Sequence, residues 1–263
     1  MKKLGFALGA GGSRGVAHIG FLQAMEDSGI KPDFISGSSM GSVIGSCYAM
    51  GMTPAEMKST VFEIKKGDLL DLAVNPMKNQ AIFKSKKMRS MLEKYLADKT
   101  FEDLKVPFCC VAVDLYSGKG VTLDGKRSVL ESVVASSTIP GVFKPVHTED
   151  GLLLVDGALR NRLPVKEVKK MGAEVIVGVD VIGELRCNKH RSFSLASVLF
   201  RTIDIYDDNA AKYKLKRHKP DVLICPDMGD ISQYKFNHYQ ECYDAGYISG
   251  LKNAEHIKEL LQD

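Results

Sequence analysis

An α/β fold, with a doubly wound, mostly parallel sheet and helices on both faces, is the architecture this 263-residue sequence predicts. Three observations predict it. Short apolar runs of strand length recur along the chain, separated by stretches whose apolar residues have helical spacing. Two of the runs lead straight into glycine-rich turns followed by a helix. No internal repeat, low-complexity tract or Pro/Ser-rich linker divides the chain, so residues 1–263 are expected to form one domain.

Leu4 to Leu8 reads as a buried strand that runs into Gly9-Ala10-Gly11-Gly12-Ser13-Arg14-Gly15. The helix after it carries Val16, Ile19, Leu22 and Met25 on one face, and Gly29 stands just past its end as a C-cap glycine. Such a loop aims several backbone N–H groups at one place, where they bind phosphate or stabilise an oxyanion; a plain tight turn is the chemically silent alternative. A dinucleotide-binding loop fits poorly, because G-x-G-x-x-G counted from Gly9 requires glycine where Arg14 stands. The acidic residue expected at the end of the second strand is also missing.

The second strand, from Asp33 to Ser36, ends in Gly37-Ser38-Ser39-Met40-Gly41, and Ser42 to Met50 reads as a helix of small and apolar residues. Strand, sharp turn and helix form the context in which G-x-S-x-G is a nucleophile elbow. The glycines permit the turn and leave room for a substrate, while the helix N-terminus favours developing negative charge. Without that chemistry, the segment is a Gly/Ser-rich βα turn.

Thr53-Pro54-Ala55-Glu56 is a capping box with proline at the first helical position, and Met57, Val61 and Ile64 follow on one face. Residues 65 to 83 carry apolar side chains among turn residues; they read either as a flap over Ser39 or as a surface excursion with its own small cluster. The next helix has Met88, Met91, Leu92, Tyr95 and Leu96 at helical spacing and Lys84, Lys86, Lys87, Arg89 and Lys94 on its polar face. A basic amphipathic helix can contact an anionic membrane transiently, but a core-facing helix with a solvated lysine face is preferred. Lys212, Lys214, Lys216, Arg217 and Lys219 form a second basic run with the same two readings.

Phe108 to Val113, Leu152 to Val155, Val175 to Asp180 and Val222 to Cys225 are the remaining strand candidates. Ser128 with Glu131 reads as a further capping box ahead of Val133, Val134 and Ala135. Tyr247, Leu251, Ala254, Ile257 and Leu261 give the last helix its apolar stripe. The run at 152–155 leads into Asp156-Gly157-Ala158. This places Asp156 at the C-terminal end of a strand, where open α/β sheets gather their sites. An Asp-Gly turn is the plain alternative.

Taken together, Gly11-Gly12-Ser13-Arg14-Gly15, Gly37-Ser38-Ser39-Met40-Gly41 and Asp156-Gly157-Ala158 resemble the motifs of the patatin-like phospholipases, serine acyl hydrolases with a Ser-Asp dyad. The stretches Ala135-Ser136-Ser137-Thr138-Ile139-Pro140-Gly141-Val142-Phe143-Lys144-Pro145 and Asn161-Arg162-Leu163-Pro164 fit the same family, in the same order. The resemblance spans about residues 4–181, with residues 182–263 as a C-terminal completion, and is greatest to the small single-domain bacterial members. Ala10 departs from it, since many members have glycine there. The resemblance implies a patatin-like fold, Ser39 as nucleophile, Asp156 as base, and an oxyanion hole from the loop at Gly11, Gly12, Ser13 and Arg14. For the Arg14 side chain the readings are the oxyanion, a head-group phosphate, or a cap of the turn through a salt bridge; a structural or steering role is preferred. The implied substrate is a lipid or other acyl ester, and neither a metal nor an organic cofactor is implied. A non-catalytic lipid- or acyl-binding regulator on the same fold is the alternative.

An aspartate near its ordinary pKa of ~3.9 is a poor base toward a serine hydroxyl, so burial would have to raise it. Of six histidines, His18 is expected to be packed or hydrogen-bonded on the first helix, and His147, in a loop near Asp156, is the one candidate for a third catalytic member. No histidine pair has metal-site spacing. A net charge of +4 is too small to indicate an anionic partner, and no nucleic-acid motif is present. No apolar run is long enough to span a bilayer, and the six cysteines show neither a disulfide nor a zinc pattern. The expected location is a reducing cytoplasm, with any membrane contact peripheral.

Overall fold

A computed structural model of the chain describes residues 1–64, 71–72, 81–84, 86–185, 195–235 and 237–262. Five strands run parallel in the spatial order β11 (Val222–Ile224), β10 (Val175–Val179), β1 (Leu4–Leu8), β2 (Phe34–Ser38) and β5 (Phe108–Asp114). β6 (Gly120–Leu123), β9 (Leu153–Asp156) and β8 (Val146–His147) complete the sheet antiparallel. The predicted strands are all present.

The pleat of β1 shows how the sheet divides two cores. Leu4, Phe6 and Leu8 enter the larger cluster, while Ala7 turns to a smaller one with Leu163, Val165, Val168 and Ile176. All five residues are buried, as expected of a central strand covered on both faces. The larger core takes side chains from α1 (Val16–Asp27), α2 (Met40–Met50), α5 (Val129–Ser136) and α9 (Tyr239–Gln262). α3 (Pro54–Glu63) and α4 (Lys86–Leu96) add Met57, Leu92 and Leu96 to it. The smaller cluster is covered by α7 (Val165–Lys170) and by Leu215 of α8 (Leu195–Arg217).

One feature of pairing matters most for function. β6 pairs with Cys110 to Val113 along one edge of β5. The opposite edge is shared: β2 pairs up to Val111 through Ser38, and β9 takes over at Ala112 through Asp156. β2 and β9 therefore approach each other head-on and stop at adjacent register positions.

Local signals translate well where they rest on side-chain chemistry. Thr53 Oγ1 accepts from the Glu56 amide and the Glu56 carboxylate reaches back to the Thr53 amide, completing the capping box. Gly29 follows α1 in the left-handed region with φ of 73°. Leu92 and Leu96 are buried while Lys86 and Lys87 are exposed, so α4 faces the core with a solvated lysine face.

Other expectations are corrected. Ser128 caps the Glu131 amide, but the Glu131 carboxylate pairs with Arg89 rather than closing a capping box. Leu251 is exposed, because α9 turns Cys242, Tyr243, Gly246, Gly250, Ala254 and Ile257 inward instead. Glycines, which hydropathy does not mark, set that face: a Cβ on Gly246 would overlap the Ala17 carbonyl, and one on Gly20 the Tyr243 carbonyl. Backbones of α1 and α9 thus touch directly. Residues 65 to 83, read either as a flap over Ser39 or as a surface excursion, lie largely outside the described residues. Within this stretch, β3 (Asp71–Leu72) and β4 (Ala81–Lys84) form a small sheet with β7 (Gly141–Phe143). Strands of two to four residues, such as β6, β7 and β8, are too short for periodicity to reveal. Among the described residues no helix is long and apolar enough to cross a membrane.

Gly246→Ala should test the helix contact, since alanine raises intrinsic helix propensity by about 0.8–1 kcal/mol. The clash with Ala17 should outweigh it, lowering unfolding free energy in urea by about 1–3 kcal/mol.

Candidate active site

Ser39 sits between β2 and α2 with φ of 51° and ψ of −123°, a conformation a non-glycine residue adopts only under constraint. The constraint is visible on both sides. The Ser39 carbonyl accepts from the Ser42 amide at 2.8 Å and the Ser42 hydroxyl at 2.6 Å, and the Ser39 amide donates to Ser136 Oγ at 3.0 Å. A Cβ on Gly41 would overlap the Leu8 carbonyl, so α2 can start this close to β1 only with glycine there. Gly37 likewise lies against the backbone of Ser42. The turn pushes the side chain out, and Ser39 Oγ donates to Asp156 Oδ2 at 2.7 Å.

Asp156 is the last residue of β9, as anticipated, but β9 runs against the parallel strands. The aspartate reaches the site because its strand meets β2 end to end, not because it shares the C-terminal edge. Burial pushes its carboxyl up to about 7; the Ser39 hydroxyl and the Ala158 amide, at 2.9 Å, pull in the other direction, and the Asp207 charge adds to the rise. Segment 136–138 ties both residues together. Ser136 holds the Ser39 amide through its hydroxyl and the Gly157 amide through its carbonyl, and the Thr138 carbonyl accepts from the Asp156 amide at 2.9 Å. Sequence reading placed Ser136 in a motif but assigned it no task.

The loop between β1 and α1 turns through a short 3-10 segment, Gly12–Gly15. Its amides are not equivalent. Ser13 donates to the Gln233 carbonyl at 2.9 Å and Arg14 to the Gly11 carbonyl at 3.0 Å. Among the described residues, the Gly11 and Gly12 amides make no hydrogen bond, nor does that of Met40 at the start of α2. Gly12 has φ of 52° and lies where a Cβ would overlap the Gln233 carbonyl, so glycine is needed twice over. Ala10 carries no positive φ, and its methyl is buried without strain.

The Arg14 side chain faces away from the serine: Nε donates to the Ile231 carbonyl at 2.6 Å, Nη1 to Ile182 at 2.8 Å and Nη2 to Gly229 at 3.1 Å. It clamps the glycine loop to segment 229–233, which is the structural alternative considered above. Ser13 Oγ adds a bond to the Ser232 carbonyl at 3.2 Å.

Arg162 is buried between Asp180, at 2.7 Å, and Asp207, at 3.0 Å, and its carbonyl accepts from the Ala10 amide at 2.9 Å. Asp207 is pushed up to about 6 by burial, against the opposing pull of Arg162. His18 is fully buried, and desolvation pushes its imidazole down to about 4. The neutral ring donates from Nε2 to the Gly9 carbonyl at 2.7 Å, supporting the loop from below. His147 is exposed on edge strand β8, opposite Leu153, and does not line the cavity of Ser39 and Asp156. Among the described residues no group of three or more His, Cys, Asp or Glu could hold a metal ion.

Ser39, Asp156, Gly11 and Gly12 line one cavity of about 60 Å³. Ile139, Pro140, Leu159 and Ile203 supply an apolar wall; Asp204, Asp207 and Tyr234 supply a polar one. The polar wall comes from α8 and segment 229–235, which no motif marks. Tyr234 Oη and Gln233 Nε2 both donate to Asp204 Oδ1, at 2.8 and 2.9 Å. A cavity of about 320 Å³ adjoins it across Ile182, Asp204, Asp207, Gln233 and Tyr234.

A family model described as patatin-like phospholipase matches residues 6–169. An uncharacterized NTE family protein of Mycobacterium tuberculosis is 33% identical over 182 residues, covering 69% of this chain and 49% of the relative. Patatin-like phospholipase domain-containing protein 6 of Homo sapiens is 34% identical over 186 residues, covering 68% of this chain and 13% of the relative. Lysophospholipase nte1 of Aspergillus fumigatus is 27% identical over 274 residues, 98% of this chain and 16% of the relative. The chain thus spans half or less of the length of these relatives. In structure, VipD from Legionella pneumophila superposes with a TM-score of 0.55 at 12% identity, over 98% of this chain and 67% of VipD, a likeness of fold alone. By the match over residues 6–169 and the identity to these relatives, the chain belongs to the patatin-like phospholipase family.

Proposed function

We propose that the protein is a lipid acyl hydrolase that cleaves carboxylic esters, of phospholipase A or lysophospholipase type, through Ser39 and Asp156. The observation that carries the reading is the 2.7 Å hydrogen bond from Ser39 Oγ to a buried carboxylate, made at a strained elbow beside two amides without acceptors among the described residues. Membership of a phospholipase family and likeness to a lysophospholipase support the ester as substrate.

Asp156 Oδ2 takes the hydroxyl proton as Ser39 Oγ attacks the ester carbonyl carbon. Charge on the carbonyl oxygen meets the Gly11 and Gly12 amides, with the Met40 amide as a third donor of the kind an elbow supplies. The hole is thereby narrower than the four-residue loop expected from the motif, since the Ser13 and Arg14 amides are already engaged. Collapse expels the alcohol, which leaves with the proton held by Asp156, and the acyl group remains on Ser39. Water, deprotonated by Asp156, attacks the acyl-enzyme; the bond to Ser39 Oγ breaks, the acid is released, and the proton on Asp156 returns to Ser39 Oγ. An aspartate raised to about 7 is a far better proton acceptor than a solvated one, which answers the difficulty of a dyad without histidine.

A fluorophosphonate ester should label wild-type protein at Ser39, identified by peptide mass spectrometry. Ser39→Ala should not label at all and Asp156→Ala only slowly; labelling elsewhere, or undiminished in the variants, would sink the proposal. The base must be ionised, so kcat/KM on a soluble p-nitrophenyl ester should rise with pH through about 7. A profile flat from pH 5 to 8 would contradict Asp156 as the base. Stability should move the other way. A folded pKa above the unfolded ~3.9 means the folded state holds the proton more tightly. Stability contributed by Asp156 is therefore lost as pH rises from about 4 to about 7. Asp156→Asn should melt above wild type at pH 8 and together with it at pH 4.

A further inference from the structure

The second basic run of the sequence plays no part in the ester chemistry, yet two of its five cations, the half-buried Lys214 and the exposed Arg217, line a recess. Lys214 and Arg217 of α8, Arg160 of the short helix α6 (Ala158–Asn161) and Lys166 of α7 line one cavity of about 480 Å³. That volume suits a small molecule. Tyr206, Ala210, Tyr213 and Arg217 recur every three or four residues, with Lys214 and Leu215 beside them, so one face of α8 lines the recess.

The charges around it do not balance. Arg162 also lines the recess, but it is spent on Asp180 and Asp207. Glu167 is the one carboxylate among the described lining residues, and its Oε2 already accepts from Asn161 Nδ2 at 2.7 Å. Arg160, Lys166, Lys214 and Arg217 form no salt bridge among the described residues. Burial holds the Lys214 ammonium below its ordinary value; Glu167 opposes that, and the charges of Arg160 and Lys166 add to it. His218, also at the recess, is lowered by burial and by Lys166, Arg217 and Lys214, again with Glu167 opposing. Cations gathered from three helices around one recess raise the free energy of the empty site, and an anion with several oxygens would relieve it. Guanidinium forks and ammonium groups are the side chains that hydrogen-bond phosphate oxygens, and the recess carries two of each.

We propose that this recess binds a small phosphate-bearing anion, held by Arg160, Lys166, Lys214 and Arg217, with Tyr206 and Tyr213 against its organic part. The site is distinct from the dyad but close to it. Leu159, three residues after Asp156, lines both cavities, and α8 contributes Asp204 and Asp207 to one and Lys214 to the other.

The test is isothermal titration of the full chain with inorganic pyrophosphate at low salt, beside sedimentation with vesicles of phosphatidylcholine containing phosphatidylglycerol. Wild type should bind pyrophosphate saturably at one site, more weakly as salt is added. The double variant Lys166→Met/Lys214→Met keeps the apolar stems, so its melting temperature should match wild type while its affinity falls at least about tenfold. Ser39→Ala should bind as wild type does, which separates this site from the ester reading. Binding only to vesicles, lost in the double variant, would assign the phosphate to a lipid head group in the same recess. Absence of binding to either probe, or binding unchanged in the double variant, would overturn the proposal.

Discussion

Ser39 and Asp156 meet because two strands compete for one edge of β5. β2 climbs that edge to Val111 and β9 descends it to Ala112, so Ser38 and Asp156 occupy neighbouring rungs of one ladder. Neither strand can lengthen without displacing the other. The chain must therefore leave the ladder at Ser39, and it does so through the strained elbow, with α2 continuing at once. A side chain that leaves a strand end in this way points at the end of the opposing strand. The 2.7 Å contact between hydroxyl and carboxylate follows from backbone pairing rather than from flexible side-chain reach.

That placement also determines the electrostatics. The end of β9 is sealed by segment 136–138, by the turn at Gly157 and by Asp207 from α8, so the carboxylate loses water and gains a like charge nearby. Two hydrogen bonds compensate it only in part. The fold thus holds a carboxyl group in a state that costs stability when ionised, as is common where acid-base chemistry is done. His18 and Arg162 show the complementary strategy. One is kept neutral and the other paired, and each holds the backbone of the glycine loop, through Gly9 and Ala10.

The glycine loop is positioned as much from the C-terminal third as from its own sequence. Arg14, Ser13 and Gly12 all lie against segment 229–233, and Gln233 and Tyr234 connect that segment to Asp204 on α8. These contacts consume the Ser13 amide and leave those of Gly11 and Gly12. Packing thus leaves two amides of the four-residue loop open among the described residues.

How much of this was legible in the sequence depends on the range of each interaction. Strand β1, the box at Thr53 and the left-handed Gly29 are set by residues within a few positions of one another, and the sequence determined them. The pairing of Glu131 with Arg89 and the inward turn of Gly246 depend on partners tens to hundreds of residues away, which no local pattern encodes. The same holds at the site. Ser39, Asp156 and the glycine loop carry their identity in motifs, because each needs particular residue types at fixed spacing. Only the tertiary structure decided which edge β9 would take, that Arg14 would clamp carbonyls, that Ser136 would hold the Ser39 amide, and that burial would lift Asp156. Those outcomes depend on desolvation and hydrogen bonding between distant segments, and such quantities exist only once the chain has closed around them.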